Sequence, residues 1–157
     1  MTRIESEKKQ VSKPATDIYN FLSNFNNFEK LMPEQVKDWK STEEECSFTI
    51  AGMASLGMKI VEKKAPEFIK VTRNGSAPFD FTLDCNIQST GDSSSEVSLA
   101  FNADLNPMLK MMAQKPLQNF LNLLLEKLPA ALADVAGIVE QAVLHLQVDL
   151  GLTQGGH

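Results

Sequence analysis

Asn106–Leu128, NPMLKMMAQKPLQNFLNLLLEKL, is the longest apolar-periodic run in the chain, and it follows a series of strand-like segments. At 100° per residue from Leu117, the residues Leu117, Phe120, Leu121, Leu124, Leu125 and Leu128 fall within one stripe. Gln118, Asn119, Asn122 and Glu126 lie opposite, so the run reads as a helix with one face for a sheet. Asn106 and Pro107 suit an N-cap and a first helical residue. Pro116 removes one internal hydrogen bond and clashes with the preceding turn, which predicts a kink near Lys115. In a straight helix Met108, Met111 and Met112 would sit on the polar side. Either the phase slips at Pro116 or those methionines have another partner.

Upstream, residues 3 to 11 read as a first strand of mixed polarity, broken at Lys13 and Pro14. From Pro14 to Asn24 a helix is expected, with Ile18, Phe21, Leu22 and Phe25 at helical spacing and Pro14 at its start. A second short helix, about Asn26 to Met32, follows the asparagine-rich turn, and Pro33 ends it. Six strand-like runs come next, near residues 36 to 43, 46 to 52, 56 to 64, 68 to 73, 79 to 89 and 95 to 105. Their separators are turn material, short enough for hairpins. In the fifth run Phe79, Phe81, Leu83, Cys85 and Ile87 alternate with polar residues, and Val97, Leu99, Phe101, Ala103 and Leu105 repeat the pattern in the sixth. This is an antiparallel meander with one wet face, and its apolar face needs a cover. The long helix is that cover.

Bulk properties narrow the function classes. At 157 residues the expectation is one domain with a core large enough to need no disulfide or metal. A net charge of −5 argues against binding a phosphate backbone, which needs clustered Lys and Arg, so nucleic acid is not an expected partner. No apolar leader opens the chain and no run of 18 apolar residues occurs, so no stable membrane insertion and a cytoplasmic location are expected. Cys46 and Cys85 are far apart without metal-ligand spacing and read as small buried hydrophobes in a reducing compartment.

The stretch from Pro129 to His157 differs in composition, with Asp134, Glu140 and Asp149 but no Lys or Arg. We read residues 1 to 128 as one domain and 129 to 157 as an appendage. Leu132, Val135, Val139, Ala142, Val143 and Leu146 recur at helical spacing before Gly151, which predicts an amphipathic tail helix roughly 30 Å long. Its apolar face would dock on Leu123, which lies about 120° from the stripe of the long helix, or make a homodimer. The closing TQGGH is compatible with a purification remnant and supports no reading.

The order of strand, two short helices, six strands and long helix resembles the helix-grip fold of the START-like, Bet v 1-like superfamily (SRPBCC), which includes polyketide cyclases and lipid-transfer proteins. KPATDIYNFLSNFNNFEKLMPEQVKDW looks like the opening of small bacterial members, and NPMLKMMAQKPLQNFLNLLLEKL like their closing helix; the resemblance covers about residues 2 to 128. It implies an α+β fold in which a curved antiparallel sheet of about seven strands wraps the long C-terminal helix. An apolar cavity between sheet and helix is implied too, with the tail helix as an addition. These motifs specify a fold and not an activity.

Catalytic constellations are scarce. A nucleophilic triad or a Cys and His pair needs a histidine, and His145 and His157 both lie in the tail. His145 precedes Asp149 by four residues, which suits a weak pair on an exposed face. Asp80 and Asp84 share a strand face, but the outward one. Glu43, Glu44 and Glu45 form a charge run at a turn. No Gly-rich phosphate loop, cofactor motif or metal set is read. What remains is apolar shape: Phe48, Ile50, Met58, Phe81, Leu99, Phe101, Met112, Phe120 and Leu124 are the candidate inner surface, and they line a ligand cavity or simply fill it. Trp39 belongs to its rim or to the core. The leading reading is a non-enzymatic carrier or sensor of a hydrophobic, lipid- or polyketide-like small molecule. A cyclase or aromatase-type enzyme, with one or two polar groups in the pocket, is the alternative. A protein-interaction module with tail-mediated oligomerisation is a third.

Overall fold

The computed structural model describes residues 2–50, 55–75 and 79–149, with 134–149 as backbone alone. The first strand forms as two pieces, β1 (Thr2–Glu5) and β2 (Lys9–Val11), separated by the polar Ser6, Glu7 and Lys8. Two short helices follow, α1 (Ala15–Leu22) and α2 (Phe25–Phe28), the second running into a 3-10 turn at Glu29–Leu31. Then come β3 (Val36–Ser41), β4 (Glu45–Ile50), β5 (Ser55–Lys64), β6 (Phe68–Arg73), β7 (Phe81–Gly91) and β8 (Ser94–Ala103). The last element is α3 (Pro107–Asp149).

All strands pair antiparallel in one sheet of order β1-β8-β7-β6-β5-β4-β3, with β2 also on β8. Hairpin separators too short for crossovers leave sequential neighbours as the accessible pairing, and only the first strand must travel, closing on the last. The expected alternation is realised where β7 meets β8: Leu83 lies opposite Phe101, Cys85 opposite Leu99 and Ile87 opposite Val97. All six side chains are buried on the concave face. At the other sheet edge β3 carries a register shift between Lys37 and Lys40, with Asp38 at φ 55°. A bulged edge bearing Lys37, Asp38 and Lys40 is a poor template for a foreign strand.

Local chemistry explains the helix starts. The Asn24 side chain accepts from the Asn26 N–H at 2.9 Å and caps α2. Asn106 does the same for α3, its Oδ1 accepting from the Leu109 N–H at 2.8 Å, with Pro107 as the first helical residue. Ile18, Leu22, Phe25, Phe28 and Leu31 pack into the core, Phe25 and Phe28 edge to face at 5.1 Å.

The α3 stripe lies as the periodicity predicts: Leu121, Leu124, Leu125 and Leu128 are buried and Leu117 and Phe120 pack against the core in part. Helical assignment runs unbroken through Pro116 and Pro129, and Met108, Met111 and Met112 are 71%, 85% and 67% exposed. The phase does not slip, and the methionines stay on the face opposite the stripe. Gln118 and Asn122 have a use beyond solvation. The Gln118 amide donates to the Glu5 carbonyl at 3.2 Å, and Asn122 Oδ1 accepts from the Glu7 N–H at 2.8 Å, which ties α3 to the break between β1 and β2.

The core continues past Leu128 to Ala131 and Leu132, both buried, so the first turn after Pro129 is packed with the domain. The tail helix is a continuation of α3 in backbone. A helix that continues along its own axis cannot fold back on Leu123, which is 36% exposed. Val135, Val139, Ala142, Val143, His145, Leu146 and Asp149 lack described side chains, and Gly151 and His157 lie outside the described residues, as does the tail-mediated homodimer that rests on that face.

Candidate ligand cavity

Between the concave sheet and α3 lies a cavity of about 70 Å³. The end of β4 and the starts of β5 and β7 supply Phe48, Ile50, Leu56, Met58, Phe81 and Leu83, Phe79 comes from just before β7, and β8 supplies Phe101. Helix α3 contributes Leu117, Phe120, Leu121 and Leu124, while Phe28 and Met32 come from the short-helix segment. In an antiparallel meander these strand ends share one end of the sheet, the same end at which α3 begins. The cavity therefore sits under the first part of α3.

Its wall is aromatic and aliphatic throughout. Phe81 and Phe101 stack at 5.1 Å, and Phe79 stands edge-on to each at 6.2 Å. Trp39 is one layer further out, stacked on Phe48 at 5.3 Å, and packs against the core. Its indole N–H donates to Ser41 Oγ at 3.0 Å, and the Ser41 hydroxyl donates to Asn26 Oδ1 at 2.7 Å, linking β3 to α2. Lys127 Nζ donates to the Met32 carbonyl at 3.1 Å and holds the short-helix segment against α3.

Seven of the nine residues expected on the inner surface border this space: Phe48, Ile50, Met58, Phe81, Phe101, Phe120 and Leu124. Leu99 and Met112 do not. Leu99 is buried beside Cys85 further along the strands, and α1 packs on β6 and β7 to fill part of the concave face as solid core. Met112 points to solvent because the helix keeps its phase through Pro116. Among the residues the expectation omitted, Leu117 and Leu121 lay in the apolar stripe, and Phe79 and Leu83 lay in the inward register of their strand. Phe28 and Met32 carried no signal, since nothing local says where a short helix lands on a sheet.

Among the described residues, no ionisable side chain borders the cavity. Asp80 pairs with Arg73 at 2.9 Å on the surface. Asp84 lies on the convex face, accepting from the Asn102 amide at 3.3 Å with the Arg3 guanidinium 3.7 Å away. Glu44 is 3.4 Å from Lys63. Cys46 and Cys85 are free and buried, and burial pushes both thiols up to about 12, with the neighbouring Asp84 carboxylate adding to the effect at Cys85. Both are inert small hydrophobes at neutral pH. Among the described residues no group of three or more His, Cys, Asp or Glu is placed to hold a metal.

No family model and no curated protein matches the chain in sequence. Solved structures match its shape. TTHA0849 from Thermus thermophilus superposes with a TM-score of 0.69 at 13% identity, over 85% of this chain and 99% of that one. A START superfamily protein from Mycobacterium smegmatis gives 0.64 at 13% identity, over 85% and 98%. Norcoclaurine synthase from Thalictrum flavum gives 0.66 at 12% identity, over 86% of each chain. With a curved antiparallel sheet, two short helices after its first strands and a long closing helix over an apolar cavity, the chain has the START-like, Bet v 1-like helix-grip fold.

Proposed function

We propose that the protein binds a hydrophobic small molecule, lipid- or polyketide-like, between its sheet and α3, and carries or senses it without transforming it. The observation that carries this reading is the composition of the cavity wall, which is apolar at every position. Burying an unpaired carbonyl or hydroxyl there would cost several kcal/mol, roughly 2–7, so the enclosed part of the ligand is hydrocarbon. The cavity of about 70 Å³ is smaller than the roughly 300–1,000 Å³ of ordinary ligand pockets, so occupancy requires its wall to yield. Met32 and Met58, with adaptable thioether chains, and Leu117 and Phe120, only partly buried on α3, are the parts that give way.

Norcoclaurine synthase shares the fold and is an enzyme, which keeps a cyclase- or aromatase-type reading in view. Acid–base chemistry needs a titratable group in reach of the substrate, and the described wall offers none, which favours the carrier reading. No helix among the described residues is long and apolar enough to cross a membrane; a cytoplasmic location is part of the proposal. Native mass spectrometry of freshly purified protein tests the proposal. The expected result is a one-to-one adduct that collisional activation releases as an apolar compound, either as purified or after incubation with a long-chain fatty acid. A bare chain in both conditions would overturn it.

A further inference from the structure

Six of the residues that line the cavity are only partly buried: Met32, Ile50, Leu56, Phe79, Leu117 and Phe120. The other lining residues are buried, so these six mark the mouth, at the end of the sheet where α3 begins. Lys110 stands seven residues before Leu117, about 20° from it around the helix and about 10 Å further out along the axis. It continues the row of Leu117, Leu121, Leu124 and Leu128, yet it is charged and exposed. A lysine so placed lays its methylenes along the apolar row and carries its ammonium to the mouth. Among the described residues it has no ion pair. The other charges at this end are placed elsewhere. Asp80 and Asp104 alternate with the inward Phe79, Phe81, Ala103 and Leu105, so both belong to the convex side, and Asp80 is 2.9 Å from Arg73. Lys115 lies on the outer face of α3, and Lys127 is committed to the Met32 carbonyl. Residues 51–54 and 76–78 contain no ionisable side chain. Across the mouth, Glu34 follows Met32 by two residues.

We propose that the ligand is an anionic amphiphile of the carboxylate kind, its head held at the mouth by Lys110 and its hydrocarbon tail lying between sheet and α3. This rests on the ligand-binding reading of the cavity and adds the head group to it. The wall is apolar at every position, so an ionised head cannot follow the tail inside and has to stay at the rim. There Lys110 is the cation in line with the tail. The first turn of α3 carries no acidic residue, so the positive end of the helix acts in the same sense. Lys110 is thus a specificity residue: it sets the preference for an acid over the matching alcohol, while the apolar wall sets the affinity for the chain.

Full-length protein is titrated calorimetrically with dodecanoate and with dodecanol, which share a chain and differ in the charge of the head. Lys110→Gln should weaken dodecanoate about threefold to fivefold, the range of a partly exposed ion pair, and Lys110→Glu by roughly tenfold or more. Dodecanol should bind both variants as it binds wild type, because Lys110 is not part of the cavity wall. Lys115→Gln, on the outer face, should change neither ligand. Unchanged dodecanoate affinity in both Lys110 variants, or equal losses for the two ligands, would overturn the inference and leave the ligand-binding reading standing. So would tighter binding of dodecyltrimethylammonium than of dodecanoate, which would give the mouth to Glu34. Failure of wild type to bind any of the three would overturn both.

Discussion

Leu128→Ala and Leu123→Ala, five residues apart on one helix, probe the helix phase on which the whole account depends. Leu128 is fully buried in the core, whereas Leu123 is 36% exposed on the far side of the stripe. Truncating a buried leucine to alanine removes three carbons at about 0.8 kcal/mol each, so about 2.4 kcal/mol of transfer free energy is lost. A residual void of roughly 50–100 Å³ adds about 1–2.5 kcal/mol at ~24 cal/mol per Å³. The sum, about 3–5 kcal/mol, is a large share of the stability of a small domain. Leu123→Ala should cost under about 1 kcal/mol, because its side chain keeps much of its hydration and leaves no enclosed void. Urea melts followed by circular dichroism, with unchanged m-values, measure both. Similar losses for the two variants, or a Leu128→Ala loss below about 1 kcal/mol, would show that the helix is rotated from the position described.

Phe120 is only partly buried at the cavity, so Phe120→Ala should cost less than the roughly 3–5 kcal/mol of a fully enclosed aromatic, and Asn119→Ala, fully on the outer face, should be nearly silent in the same melts. The two cysteines predict an alkaline limit. Their folded-state values stand near 12 against an ordinary 9.0, so the unfolded chain ionises first, and stability is retained below about pH 9 and falls as pH rises towards 12. Cys85→Ala should flatten that fall between about pH 9 and 11, as read from urea midpoints. A chain ending at Ala133 should be more stable than one ending at Leu128 by roughly 1.5–3 kcal/mol, the worth of a buried leucine at Leu132; equal melting of the two would show that the first turn after Pro129 is not core.

Much of this molecule was legible before any coordinates. Alternation in β7 and β8, short hairpin separators and the α3 stripe are local patterns imposed by burying one face of each element, and each came out in register. Asn106 could be read as a cap because capping is a contact between residues three apart. What stayed hidden depends on long-range placement. The first strand breaks at Ser6 because the Ser6 hydroxyl accepts from the Leu99 N–H at 2.8 Å and Glu7 turns to Asn122, pairings that no local window contains. Phe28 and Met32 reach the cavity only because α2 lands beside α3. Pro116 misled in a different way, since its lost hydrogen bond falls on the solvent side of the helix and leaves the phase intact. That is why Met112 faces water and not the cavity.

The central claim is that the space between sheet and α3 admits a hydrophobic ligand, and a titration of wild type and Phe101→Trp with an apolar fluorescent probe tests it most directly. Phe101 stacks on Phe81 in the cavity wall, so the larger indole takes up the free volume without adding charge. The account predicts saturable one-to-one binding to wild type and a clear loss of affinity in the variant at unchanged fold. Equal binding to both, or wild-type binding no stronger than to a cavity-free protein of similar acidity, would contradict it.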